Sequence, residues 1–352
     1  MRKIIKSFAL GAVVSSLVVL AGCSVTGAPR PRVGSYPASA MPSKFLDINS
    51  LGSHNYGIGV GEHNGLVYTA RGGHIDIAHL RIAADNTRSL YNDIRGHLLH
   101  NDRDFTFKLN VEPSSYYVDV QYPSYWRNIP PKYREKIAHK MASEMSQYFT
   151  YTMTTWHEVL TWFGYKCLFF LPEFSSAFSW EDIYSNLLGT RLGAEALEDK
   201  DHGYNQAMTI LLKEELVNLQ IQPRSTARQA AKKMVNKAFH IDRRKSTDIG
   251  LYDGFVTPAL VPGVCIDALP KSLPVPTLDE VHNYGFAVNL EIEPREFERG
   301  KILRLIYPRG GANRVRPADH LPIVMNYIEK DAIQRGYTIV PSEKPTTLVS
   351  AQ

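Results

Sequence analysis

The strongest constraint on this chain is a long helical stretch that opens at Pro130-Pro131 and runs to about residue 163. It begins charged, with Lys132, Arg134, Glu135 and Lys136, and turns almost wholly apolar and aromatic toward Trp162. A helix apolar on every side has to be surrounded by protein, so its second half lies inside the body and other elements pack around it. Apolar periodicity marks a second helix over residues 74–97, opened by Gly72-Gly73 and carrying Ile75, Ala78, Ile82 and Leu90. Another starts at Ser179, because Ser-Trp-Glu-Asp sets an N-cap serine three residues before an acid. Helices near 203–219 and 225–239 each follow a glycine or proline, and a last one covers about 321–335.

Strand texture lies outside this helical centre. Residues 57–60 with 66–70, and 105–111 with 116–122, read as hairpins, while 286–292 and 302–307 read as further strands. Strands, then helices, then strands predict an α+β fold: a central, mostly helical core flanked by antiparallel strands and hairpins. A single globular domain over residues 44–340 holds these elements, followed by a polar tail, 341–352.

Residues 1–22 read as a secretory leader, with the cations Arg2, Lys3 and Lys6, an apolar run over 8–20, and the small residues Ala21 and Gly22. A helix of that run is roughly 20 Å long, short of the roughly 30 Å hydrocarbon core, so it is no permanent span. Leu20-Ala21-Gly22-Cys23 resembles the lipobox of bacterial lipoproteins. That resemblance implies cleavage before Cys23, acylation of its thiol, and, with Ser24 rather than aspartate following, sorting to the outer membrane. The membrane is then a partner through an N-terminal lipid, stable only if the cysteine is multiply acylated. Residues 23–43, rich in Pro, Ser, Gly and Ala, read as the lipidated terminus and a flexible stalk. Removing the leader lowers the formal charge from +5 to +2, so the body lacks the basic excess of a nucleic-acid binder. Cys167 and Cys265, in an oxidising compartment, either form one disulfide or remain buried thiols, and both readings stand.

Chemistry concentrates in three places. In Gly72-Gly73-His74-Ile75-Asp76-Ile77-Ala78-His79-Leu80-Arg81, Asp76 and His79 are three apart, which on a helix places them on one face with Cβ atoms about 5–6 Å apart. They either ligate a divalent metal such as zinc together, or Asp76 orients His79 through a hydrogen bond. His157 and Glu158 sit in the apolar half of the long helix, where an unpaired charge is costly and a partner is required. They do not form the HExxH zinc motif, since Thr161 stands where the second histidine belongs, and neighbours on a helix diverge by about 100°. Glu173 lies in a loop able to close a site beside His157, whereas Glu181 and Asp182 are explained by the helix dipole of a first turn. Ser175 and Ser176 lack the Gly-x-Ser-x-Gly setting of a hydrolase nucleophile, and the basic glycine loop over 309–316 reads as a solvated turn, with a contact to phosphate or an anionic glycan as the alternative.

The segment from Gly72 to Arg81, His157-Glu158 before Trp162-Phe163-Gly164, and Ser176-Ala177-Phe178-Ser179 with residues 182–189 together resemble the bacterial lipoprotein family of domain of unknown function 4056. The resemblance implies an exported envelope protein and supplies no catalytic assignment. The expected site is therefore the one read from the residues: Asp76, His79 and His157 as metal ligands, with Glu158 and Glu173 as catalytic carboxylates. The expected chemistry is metal-activated water attacking an ester or amide of an envelope component from the periplasmic face of the outer membrane. The competing expectation is a non-catalytic binding or scaffold lipoprotein in which the same groups are structural.

Overall fold

The computed structural model describes residues 29–32, 44–57, 61–109, 112–164, 166–167, 171–172, 177–235, 246–247 and 254–339. Cys23, Glu173 and the polar tail from residue 341 lie outside the described residues, as does the leader. The fold is α+β, with small antiparallel sheets around a helical core.

Leu66–Thr69 (β1) and Gly73–Asp76 (β2) form a buried antiparallel hairpin in which Leu66 faces Asp76. Gly73 turns the chain at φ +63°, and a Cβ there would lie 2.3 Å from the Ala259 carbonyl oxygen, so only glycine fits. Asp76 ends β2 and caps the helix Ile77–His100 (α1), its side chain accepting from the Ala78 amide. The helix expected from residue 74 therefore begins three residues later, because an aspartate supplies a stronger start than the two glycines. The hairpin expected between 57–60 and 66–70 is also corrected: β1 pairs forward with β2, and residues 58–60 lie outside the described residues.

Asp104–Phe107 (β3) and Ser115–Gln121 (β4) form the second expected hairpin, and Ala287–Glu293 (β5) pairs on the other side of β4, giving the order β5-β4-β3. Tyr116, Val118 and Val120 alternate inward from β4 into the core. The core continues onto the helix Pro131–Trp162 (α2), through Met141, Met145, Phe149 and Trp156. Further helices are Asp182–Glu198 (α3), Tyr204–Asn218 (α4), Arg224–Val235 (α5), Asp279–Asn283 (α6), Arg299–Ile306 (α7) and Pro317–Gln334 (α8). Residues 302–307, expected as a strand, form most of α7. Ile302 and Ile306, four apart, are the pair that is buried, which is the helical spacing and not the alternation.

The helices α1 and α3 run in the same direction at very close approach. The backbone of Asp76 meets Ser185, a Cβ on Gly189 would lie 1.9 Å from the Leu80 carbonyl oxygen, and one on Gly193 would lie 2.7 Å from Ala84. Small residues at 185, 189 and 193 share one face of α3, and their size allows this contact. Against this pair α2 runs antiparallel, with Thr87 donating to Thr150 across a buried contact. Both N-termini, of α1 and α3, thus point to the end of the layer where α2 terminates. Among the described residues no helix is long and apolar enough to cross a membrane.

Candidate metal centre

At that end of the layer three side chains converge. Asp76 is completely buried: Oδ1 accepts from the Ala78 amide at 2.7 Å, and Oδ2 faces His79 Nδ1 at 3.0 Å. The backbone amide of Asp76 donates to Ser185 Oγ, so the first turn of α3 holds the corner in place. From that same turn Asp182 presents Oδ1 at 3.3 Å from His79 Nδ1, while its Oδ2 accepts from Ser179 Oγ at 2.6 Å. One ligand atom from each of Asp76, His79 and Asp182 lies within 4.8 Å of the others, a spacing one cation can bridge. His79 is the partly exposed member, and the two aspartates are buried.

Glu158, from α2, lies outside that set of ligand atoms but is an electrostatic neighbour of Asp182 and His79. Its Oε2 accepts from the Phe178 amide at 2.7 Å, and Phe178 holds φ +52°, a left-handed conformation rare for a bulky side chain. Strain of about 1–3 kcal/mol is typical of such a residue, and here it aims an amide at a buried carboxylate. Burial and the neighbouring Asp182 raise the Glu158 pKa to about 7, against the opposing pull of His157, the Phe178 amide and His79. For His79, burial disfavours the imidazolium, but Asp182, Asp76 and Glu158 outweigh it and lift the pKa well above the ordinary value.

The structure brings together Asp76, His79 and Glu158 of the expected residues, and places His157 elsewhere. The ring of His157 turns to a different carboxylate, with Nδ1 2.5 Å from Glu112 Oε1, as the divergence of adjacent helical positions requires. Glu112, fully buried, also accepts from Tyr116, and beside it Ser114 donates to the buried Glu296 and accepts from Trp156 Nε1. The expected ligand His157 is therefore not in the cluster, and Asp182 takes the third place. The position of Asp182 was legible in part: it stands one helical repeat before Ser185, Gly189 and Gly193 on the face of α3 that approaches α1. His74 is not part of the centre; buried, it is bonded to the Ala227 carbonyl and accepts from Trp180, and desolvation lowers its pKa to about 4. Cys265 carries a free, half-buried thiol, and the side chain of Cys167 lies outside the described residues. In the 309–316 loop, Arg314 stacks over Tyr117 and pairs with Glu291, so this basic residue is tied to the sheet.

Neither a curated protein nor a solved structure gives a significant match to the chain. A family profile matches residues 42–245, more than half of the chain and the whole segment that supplies Asp76, His79, Glu158 and Asp182, and by that match the chain belongs to the family described as protein of unknown function (DUF4056).

Proposed function

We propose that this protein is a metal-dependent hydrolase of the bacterial envelope, held at the periplasmic face of the outer membrane by acyl chains on Cys23. The catalytic part rests on one observation: Asp76, His79 and Asp182 present ligand atoms within 4.8 Å of one another, with the near-neutral carboxyl of Glu158 as their electrostatic neighbour. One imidazole and two carboxylates suit zinc or manganese. Asp76, His79 and Asp182 would hold the ion, which would supply an activated water. Glu158 takes the proton that water gives up as its oxygen attacks an ester or amide carbonyl, and passes it to the departing alcohol or amine. A carboxyl group with a pKa of about 7 suits both halves of that transfer at neutral pH. The envelope location follows from the leader and lipobox residues, and it sets the substrate class as an ester or amide found outside the cytoplasm.

One feature favours a second reading. An imidazole bonded to Asp76 and close to Asp182 is already a satisfied buried cluster, as a non-catalytic binding or scaffold lipoprotein would need. Elemental analysis and zinc titration of the full chain separate the two. The enzyme requires about one ion per wild-type chain and none in Asp76→Ala, His79→Ala or Asp182→Ala. It also requires that Glu158→Gln keep the ion and lose hydrolysis of a simple ester. A wild-type chain that neither contains nor takes up metal removes the hydrolase and leaves the scaffold.

A further inference from the structure

A second buried charge cluster lies on another face of α1, and its occupant comes from the N-terminal segment. Residues 29–32 read Pro-Arg-Pro-Arg, inside the stretch expected to be a free stalk, yet the Arg32 side chain is completely buried. Its guanidinium grips Glu62 with Nε at 2.9 Å and Nη2 at 3.1 Å, reaches Asp85 Oδ2 with Nη1 at 2.7 Å, and donates from Nη2 to the Asn55 carbonyl at 3.0 Å. Arg30 adds a bond to the same carbonyl and an ion pair to Glu62 from a more exposed position.

The receptor for these contacts is built by the body. The Asn55 amide fixes Glu62 Oε1 at 3.1 Å, His54 Nε2 holds Asp85 Oδ1 at 2.9 Å, and Arg81 anchors the wall through the carbonyls of His63 and Leu51. Within that wall two carboxylates face one resident guanidinium, leaving a single negative charge in excess. A buried carboxylate without a counterion is strongly unfavourable, and a fork of planar N–H donors satisfies two such groups where an ammonium cannot. The family match begins at residue 42, so it includes Asn55, Glu62 and Asp85 and excludes Arg32. Receptor and occupant are thus separable parts of the chain.

We propose that Asn55, Glu62 and Asp85 form a binding site for a guanidinium group, which the chain's own Arg32 fills as a latch. The site stands independently of the metal centre. With the acylation reading above, it also sets the reach of the anchor: nine residues from Cys23 to Arg32 span at most about 30 Å, against about 70 Å if the body were first held at residue 44.

Chemical rescue tests the latch in the full chain. Arg32→Ala is expected to lower the melting temperature by about 5 °C or more. Millimolar ethylguanidinium then restores it saturably, ethylammonium does not, and neither cation raises the wild type or Arg32→Ala combined with Glu62→Gln. Should Arg32→Ala fail to fold, Arg32→Lys keeps the charge without the fork and is read in the same way. An Arg32→Ala chain that melts with the wild type shows that the pocket has no claim on Arg32. Equal rescue by the two cations shows a generic charge effect, absent rescue shows that the wall binds no free guanidinium, and each of these results overturns the proposal.

Discussion

The close contact of α1 with α3 makes Gly189→Ala the sharpest test of how the fold builds the candidate metal centre. Alanine in a helix interior is favoured over glycine by about 1 kcal/mol, so on propensity alone the change stabilises. At residue 189, however, the new Cβ would lie 1.9 Å from the Leu80 carbonyl oxygen. A carbon–oxygen contact needs about 3.3 Å, so the two helices must part by more than about 1 Å. Overpacking of this kind costs about 1–3 kcal/mol, and contact with backbone places it at the upper end, giving a net loss of about 2 kcal/mol. Leu80 follows His79 directly, so the separation falls on the 3.3 Å approach of His79 to Asp182. Gly96→Ala, on α1 with nothing within 4 Å of its Cβ, supplies the opposite sign and should gain up to about 1 kcal/mol. Calorimetry should therefore rank Gly96→Ala above wild type and wild type several degrees above Gly189→Ala, with zinc affinity lost only in the last. A Gly189→Ala chain that melts as high as Gly96→Ala and binds zinc like the wild type would refute the packing argument and its link to the site.

Other outcomes follow from the same geometry. Because desolvation lowers the pKa of both His54 and His74, the native state resists protons that the unfolded chain accepts below about pH 6.5; the stability these two histidines contribute should be full above that value and fall as pH drops toward 4, and His54→Gln should flatten part of the acid-side slope in melting temperature against pH. Zinc must displace the proton by which His79 Nδ1 bonds to Asp76, so calorimetric titration near pH 6 in buffers of different ionisation enthalpy should show proton release, and proton-neutral binding would place the ion elsewhere. Cys265, half-buried and free, should react slowly with a maleimide without prior reduction, whereas complete resistance until a reductant is added would restore the disulfide with Cys167.

How much of this was legible depended on whether local pattern and tertiary contact agreed. The helix α2 was readable to within one residue at its end, because Pro130-Pro131 and a sustained apolar run both point to it. The hairpin of β3 and β4 was readable from alternation around a turn. The run Ile302-Leu303-Arg304-Leu305-Ile306 fits both an alternating and a helical pattern, and packing chose the helix. The start of α1 was hidden because His74-Ile75-Asp76 carries apolar positions that continue the helical pattern, while in the fold it pairs as a strand with Leu66, Val67 and Tyr68. Asp76, His79 and Glu158 were found from ionisable residues in apolar surroundings. Asp182 and Glu112 were not, since a first-turn acid and a turn-flanking acid have ordinary local explanations that only the folded neighbourhood overrides.

The two buried clusters differ in how their charge closes, and the difference bears on the proposal that one of them takes a metal. Around Asp85 and Glu62 the guanidinium groups of Arg30, Arg32 and Arg81 more than offset two carboxylates, with charges that no pH near neutrality removes. At the candidate metal centre Asp76, Asp182 and Glu158 have His79 as their cationic neighbour, aided by the N-termini of α1 and α3, each equivalent to about half a positive charge. Neutrality without a metal then needs a proton on His79 and another on Glu158, whose pKa of about 7 keeps it exchangeable. A divalent cation held there would replace those two protons charge for charge. Buried ion clusters add little net stability compared with apolar packing, so a core that maintains its balance with removable protons has kept a property that a purely structural cluster does not use.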